Sequence, residues 1–451
     1  MKTSQFRRVR LVAPALTLLL AAPLLAGTAL AETLRAASPE FALSTSIAVR
    51  PGAETPVVVK AAPNSVCLLH PLGITDADHV MHLYSDGEGD VRFHVNAHQE
   101  SAESTQMQLD CTSTDNKAMV FPLELNASAS APEVLSKPQT AVRAEGSTLR
   151  PGLSEAEARS LSDEELRQHS YPPRPNAAAS PKAYATWLRV VSRPATHVAA
   201  GALIRPEMSH DHGQVTAGTG SFANWSGYEV YGAKDSYDSV VGEWYVPSVT
   251  SASGYSYSAL WVGLDGIGTS DLVQTGTEQN AFELYPYSFS SYYAFSELLP
   301  NQPSESVLTG LPVSPGNLIW ANVGICDISG LADLKGAYAC FFMENESTNQ
   351  FVDPIVPLGS TSFTGSEAVW IMERPWVGGK IPQLADYNEA IMFSAEAQTP
   401  NGTEVPYNAS NSNNWTMVNA YETYNDNNLL STVQQEIGSG YEMLFVWHNF
   451  H

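Results

Sequence analysis

Residues 219–451 predict an all-β fold, a sandwich of two antiparallel sheets. Aromatic and β-branched runs recur through this half of the chain, turn signals punctuate them at SASGYS (251–256), SPGN (314–317) and PNGT (400–403), and no long stretch keeps a helical apolar period. Many short strands spread over about 230 residues pack as two sheets face to face, because a lone sheet would leave an apolar face in water.

Three elements precede this domain. In residues 1–31, the basic Lys2, Arg7, Arg8 and Arg10 lead into an apolar run (11–25) and a small-residue site, Ala29-Leu30-Ala31. This is the pattern of a secretory signal peptide, and it predicts a secreted protein, extracellular or periplasmic. Pro14 and Pro23 interrupt the run and no later apolar stretch approaches the length of a span, so no membrane association is expected after signal removal. Residues 32–132 hold β-branched runs bounded by Pro and Gly, including VRFHVNA (91–97) and KAMVFPLELNA (117–127), and predict a small β module, either part of a pro-region or a binding unit. Residues 133–218 read as a propeptide and processing linker. LSDEEL (161–166) supplies a cap and an acidic first turn for one helix, YPPRP (171–175) and NAAASP (176–181) break it, a second helix follows at 182–191, and a polar, Gly-rich run closes the segment at 207–220. His210 and His212, in SHDH, are read as linker residues.

Charge separates the parts. From residue 221 onward four cations (Lys234, Lys335, Arg374, Lys380) face 25 acidic residues, a balance of −21 within a chain of formal charge −24. That excludes nucleic acid as a partner. With so few cations, protonating the carboxylates in acid leaves little charge to drive the chain apart. Between 167 and 205 the sign reverses: Arg167, Arg174, Lys182, Arg189, Arg193 and Arg205 occur with no acidic residue. Such a segment is expected to act as an intramolecular inhibitor, drawn to the acidic domain and released as carboxylates protonate near pH ~4.

Four cysteines divide into Cys67 with Cys111 and Cys326 with Cys340, one pair in each half, and read as structural disulfides of an oxidising compartment. None sits at C-x2-C spacing, so no metal site is expected. Beyond Gly213 the only histidines are His448 and His451, at the end of the chain, and neither HExxH nor D-T/S-G occurs. Serine, cysteine, zinc and aspartic hydrolytic chemistry are thereby excluded, leaving carboxylate and amide groups.

Five motifs follow in order: NWSGY (224–228), WVGLDG (261–266), LVQTG (272–276), AFSELLP (294–300) and AVWIMERP (368–375). In a strand, Val369, Ile371 and Glu373 share one face, as do Leu272 and Gln274. Apolar neighbours would raise the Glu373 pKa. On neighbouring strands, this carboxylate and this carboxamide could both reach one water.

This ordered set, covering about half the chain, resembles the glutamic peptidases, also called eqolisins or the G1 peptidase family. The resemblance implies a jelly-roll-like sandwich whose concave sheet carries the site, and an acid endopeptidase made as a precursor, acting on polypeptide substrates without metal or organic cofactor; a monomer is expected. It makes Glu373 the general base and acid on water and Gln274 the group that orients water and stabilises the oxyanion. Trp225, Trp261, Asp265, Phe295 and Glu297 match positions lining the substrate cleft. The chain departs from fungal relatives at Val369-Trp370, where they have Glu followed by an aromatic, and at Ser296, Leu298 and Leu299, where they have aromatics. A reading from another class is a jelly-roll glycoside hydrolase or carbohydrate-binding protein using Glu297 and Glu373. Gln274 discriminates, since a two-carboxylate glycosidase does not need it.

Overall fold

The computed structural model describes residues 40–41, 45–74, 80–99, 104–128, 147–204, 208–210, 215–216, 221–419, 427–435 and 442–451. The expected signal peptide, Arg205 and His212 lie outside the described residues. Strands alternate apolar side chains between two faces, and two sheets close over one core. In the first sheet the order is Ala202–Ile204, Ser306–Leu308, Tyr287–Leu299, Leu272–Leu284, Gly254–Asp265, Glu367–Glu373, Trp225–Tyr231 and Ser412–Trp415. The five motifs therefore occupy five adjacent, antiparallel strands. One expectation changes: the strands carrying Gln274 and Glu373 are not neighbours, because the WVGLDG strand lies between them. The second sheet centres on Met443–Trp447, Glu389–Gln398, Ser239–Tyr245, Leu318–Cys326 and Tyr338–Asn345. Val262, Leu264, Val273, Trp370 and Met372 from the first sheet pack with Val240, Trp244, Ile319 and Val323 from the second. Their alternate neighbours, Trp261, Leu272, Phe295, Val369 and Ile371, cluster on the opposite face of the first sheet. A one-residue slip would exchange the two sets, so burial of both faces fixes the register that places the site.

The described stretch 147–198 covers the outer face of the second sheet. Ser162 caps the helix Asp163–Gln168 in a reciprocal capping box with Glu165, and the helix expected at 182–191 runs Pro181–Val191, with Pro181, read as part of a break, serving as its first residue. A third helix, Glu155–Ser160, was missed although Ser154 and Glu157 form the same box. Val190 and Ala195 pack on Val241, Trp320, Phe342 and Phe351. Around them Arg150 meets Glu344 at 2.7 Å with both side chains buried, Arg189 meets Glu243 at 2.7 Å, and Arg167 meets Asp353 at 3.0 Å. Arg189 and Arg193 both reach Glu346. The attraction expected from composition is thus a set of local pairs on the face away from the motifs, and Arg174 pairs within its own segment, with Asp163.

Cys67 and Cys111 are bonded directly across two paired strands, and Cys326 and Cys340 across a hairpin. The N-terminal module has its own sheet, but its strand Asp90–Ala97, paired on one side with Thr55–Lys60, pairs on the other with Tyr287–Ser290, so the two strands extend the motif-bearing sheet. Phe282, Tyr287 and Phe289 accordingly join the module's core beside Phe93, Val95 and Leu125.

Candidate active site

Gln274 lies opposite Glu297 in register, and its Nε2 donates to Glu297 Oε2 at 2.9 Å. The same nitrogen donates to the backbone carbonyl of His210 at 2.7 Å. Two acceptors on one side of the amide fix its orientation, since only the NH2 can satisfy both. Glu373, opposite Trp225 on one side and Ala259 on the other, receives the indole N–H of Trp261 on Oε2 at 2.7 Å. Trp225 packs edge-on against Trp261, ring centroids 4.9 Å apart, and holds that indole in place. Gly276 faces Trp261 across the strands, where a Cβ would stand 2.3 Å from the Trp261 Cβ. The small residue lets the indole lie over the sheet and reach Glu373.

The principal correction concerns His210. Read as a linker residue, it is fully buried between the motif side chains. Its Nδ1 lies 3.0 Å from Glu373 Oε2, its Nε2 lies 2.8 Å from Glu305 Oε2, and its ring stacks on Phe295 at 4.0 Å. Its backbone N–H donates to Glu297 Oε2 at 3.1 Å. The chain reaches this place by pairing Ala195–His197 with the edge of the second sheet, Ala202–Ile204 with the edge of the first, and Met208–Ser209 with Trp376–Val377. Nothing local in SHDH signals this return over 163 residues.

Burial dominates the electrostatics. It raises the Glu373 pKa, with the His210 charge and the hydrogen bond to Trp261 opposing it. Glu297 is pushed up to about 8 by burial, against the His210 charge and helped by Glu305 and Glu373, so it carries its proton at neutral pH. For His210, burial opposes the charged ring, but the Glu373 charge and the bonds to Glu305 and Glu373 outweigh it and raise its pKa well above the ordinary value.

Asp265, expected in the cleft, turns elsewhere. At φ 64° its carboxylate accepts backbone N–H bonds from Gly365 and Ser366 at 2.8 Å, and from Thr364 and Glu367 at 3.1 Å. It anchors the loop that feeds the Glu373 strand, and burial and the neighbouring Asp271 push its pKa up to about 7. Glu278 and Glu305 were missed. Glu278 shares the face of Gln274 four residues earlier and was findable by parity, whereas Glu305 lies in a polar turn with no pattern. His210, Glu278 and Glu305 each place one ligand atom within 4.8 Å of the others, a spacing that could hold a metal ion. Both ring nitrogens of His210 are already engaged by Glu373 and Glu305.

No curated protein matches this chain. Among solved structures it is similar to a scytalido-glutamic peptidase bound to a peptide-based transition state analog, at 19% identity and TM-score 0.40, covering 50% of this chain and 98% of that one. It is also similar to SCP-B, a member of the eqolisin family in complex with the tripeptide Ala-Ile-His, at 17% identity and TM-score 0.37, with the same coverage. The Peptidase A4 family model matches residues 223–439, which contain all five motifs. Through these residues, just under half of its length, the chain matches the Peptidase A4 family, and the match supports a glutamic endopeptidase.

Proposed function

We propose that this chain is an exported acid endopeptidase, made as a precursor, in which Glu373 and Gln274 activate a water against a peptide carbonyl. One observation carries the reading. A peptide segment crosses the cleft with its carbonyl on the Gln274 amide, at 2.7 Å, and its side chain on the Glu373 carboxylate, at 3.0 Å. Gln274 Oε1 and Glu373 Oε1 are both buried with no hydrogen-bond partner among the described residues. A water donating to both acceptors would present its lone pair to a carbonyl held by Gln274 Nε2. Glu373 takes the water's proton as attack begins and returns it to the departing amine, while the Gln274 amide, which does not titrate, stabilises the oxyanion in acid. Glu297 keeps the amide correctly turned, and its raised pKa spares Glu373 a second buried negative charge. A peptide main chain in the cleft favours a polypeptide substrate over a sugar.

The test is incubation of the purified precursor at pH ~3–4 with a denatured protein, with and without pepstatin, beside the Glu373→Gln variant. Pepstatin-resistant cleavage by the wild type is expected, lower by at least on the order of a hundredfold in the variant. Cleavage by the variant at the wild-type rate would refute the assignment.

A further inference from the structure

We propose that Met208–Ser209–His210 is a substrate-like inhibitory strand, and that Glu305 and Phe295 form a subsite for an imidazole side chain which His210 fills in the precursor and histidine-bearing peptides fill afterwards. The inference rests on Glu373 and Gln274 being the catalytic pair.

The main chain of this strand is held as an extended peptide would be. Met208 and Ser209 pair antiparallel with Val377 and Trp376, the Met208 carbonyl accepts from the Glu305 backbone N–H at 3.3 Å, and His210 N–H and C=O go to Glu297 and Gln274. This is recognition by strand addition, which depends on backbone groups and admits any sequence. The side chain then supplies selectivity. The imidazole lies nearly parallel to the Phe295 ring, at 14°, with carboxylates at both nitrogens. Two opposed acceptors in the plane of a stacked ring call for two donors in that plane, which an imidazolium has. Phenylalanine or leucine there would leave Glu305 and Glu373 buried beside an apolar group. A lysine would offer a point charge with no flat face for Phe295.

Occupation also explains how the precursor is kept shut. Glu373 Oε2 is taken by Trp261 and His210, and Gln274 Nε2 by Glu297 and His210, so both catalytic groups are engaged by the chain itself. The titratable groups around the ring come from every side of the cleft: Glu373 and Glu278 on two sheet strands, Glu297 on a third, and Glu305 in the turn before Ser306.

The test compares full-length unprocessed precursor with its His210→Ala variant on a fluorogenic peptide lacking histidine, with circular dichroism confirming the fold. The variant is expected to be faster by on the order of tenfold or more. In a second arm, which needs no variant to fold, the peptide EMSHD (residues 207–211) is added to acid-processed wild-type enzyme. It should inhibit competitively, and EMSAD should inhibit more weakly by about a hundredfold or more, the scale expected for two charge-assisted hydrogen bonds. Glu305→Gln should shrink the ratio between the two peptides. Equal inhibition by both peptides, or a His210→Ala precursor no faster than wild type, overturns the inference. If Glu373→Gln abolishes cleavage while either of those results is found, the catalytic reading stands and only the imidazole subsite fails.

Discussion

Replacing Trp261 with phenylalanine removes one hydrogen bond from Glu373 while keeping an aromatic ring beside Trp225, with a small cavity where the indole's second ring lay. The lost bond is short, 2.7 Å, fully buried, and ends on a carboxylate. Bonds of that kind contribute about 1.5–3 kcal/mol, equivalent to roughly ten- to a hundredfold in an equilibrium. The Trp261 bond favours ionised Glu373, so its loss raises the pKa of the group that must be deprotonated to act as base. The acid limb of kcat/KM against pH should therefore move to higher pH, with activity on that limb lower by roughly ten- to a hundredfold. Above the limb, where Glu373 is ionised in both proteins, the two rates should converge. The assay is a pH series on acid-processed enzyme with one peptide substrate. A uniform loss at every pH would mean that Trp261 acts by shaping the cleft, and an unchanged acid limb would refute Glu373 as the titrating base.

Gln274→Ala should lower kcat by on the order of a hundredfold or more with the thermal midpoint retained, measured by steady-state kinetics and calorimetry. Gly276→Ala should destabilise by about 1–3 kcal/mol in chemical denaturation, since its methyl group meets the Trp261 Cβ and the Leu260 carbonyl. Asp353→Asn tests which ion pairs acid loosens. Burial would raise the Asp353 pKa, but its hydrogen bond with His197 and the Arg167 charge hold it below the ordinary value. Its contribution is therefore present above pH ~4 and lost as pH falls through the depressed value, and the variant's thermal midpoint should fall less between pH ~5 and ~3 than the wild type's. Removing the Cys326–Cys340 bond by double serine substitution, which opens a loop of sequence separation 14, should cost about 3 kcal/mol in the unfolding free energy.

The pH argument also bears on how the segment 147–198 is held against the second sheet. Glu243 and Glu344 have pKa values raised by burial. A raised group contributes most at low pH and loses its contribution as pH rises, the opposite of Asp353. Acid consequently does not loosen the segment at every contact, as the sequence suggests from net charge alone, and the Arg167–Asp353 pair is one that it weakens.

Local geometry was legible in the sequence. The pleat of a strand assigns alternate residues to opposite faces without reference to any partner, so Gln274 shares a face with Leu272, and Glu373 with Val369 and Ile371. Capping boxes are equally local: the helix after Ser162 followed from three adjacent residues. Cysteine pairing followed from there being one pair in each half. Tertiary structure decided everything that depends on which distant segments meet. It inserted the WVGLDG strand between the strands of Gln274 and Glu373, turned Asp265 into a loop anchor, joined two N-terminal strands to the motif-bearing sheet, and carried His210 into the cleft. Those outcomes depend on closing long loops against chain entropy, with the gain coming from burial and hydrogen bonds that form only when the whole sandwich is assembled. A residue such as His210 has no periodic neighbour to mark it, and its partners are defined only once Glu305 and Glu373 stand on either side of its ring.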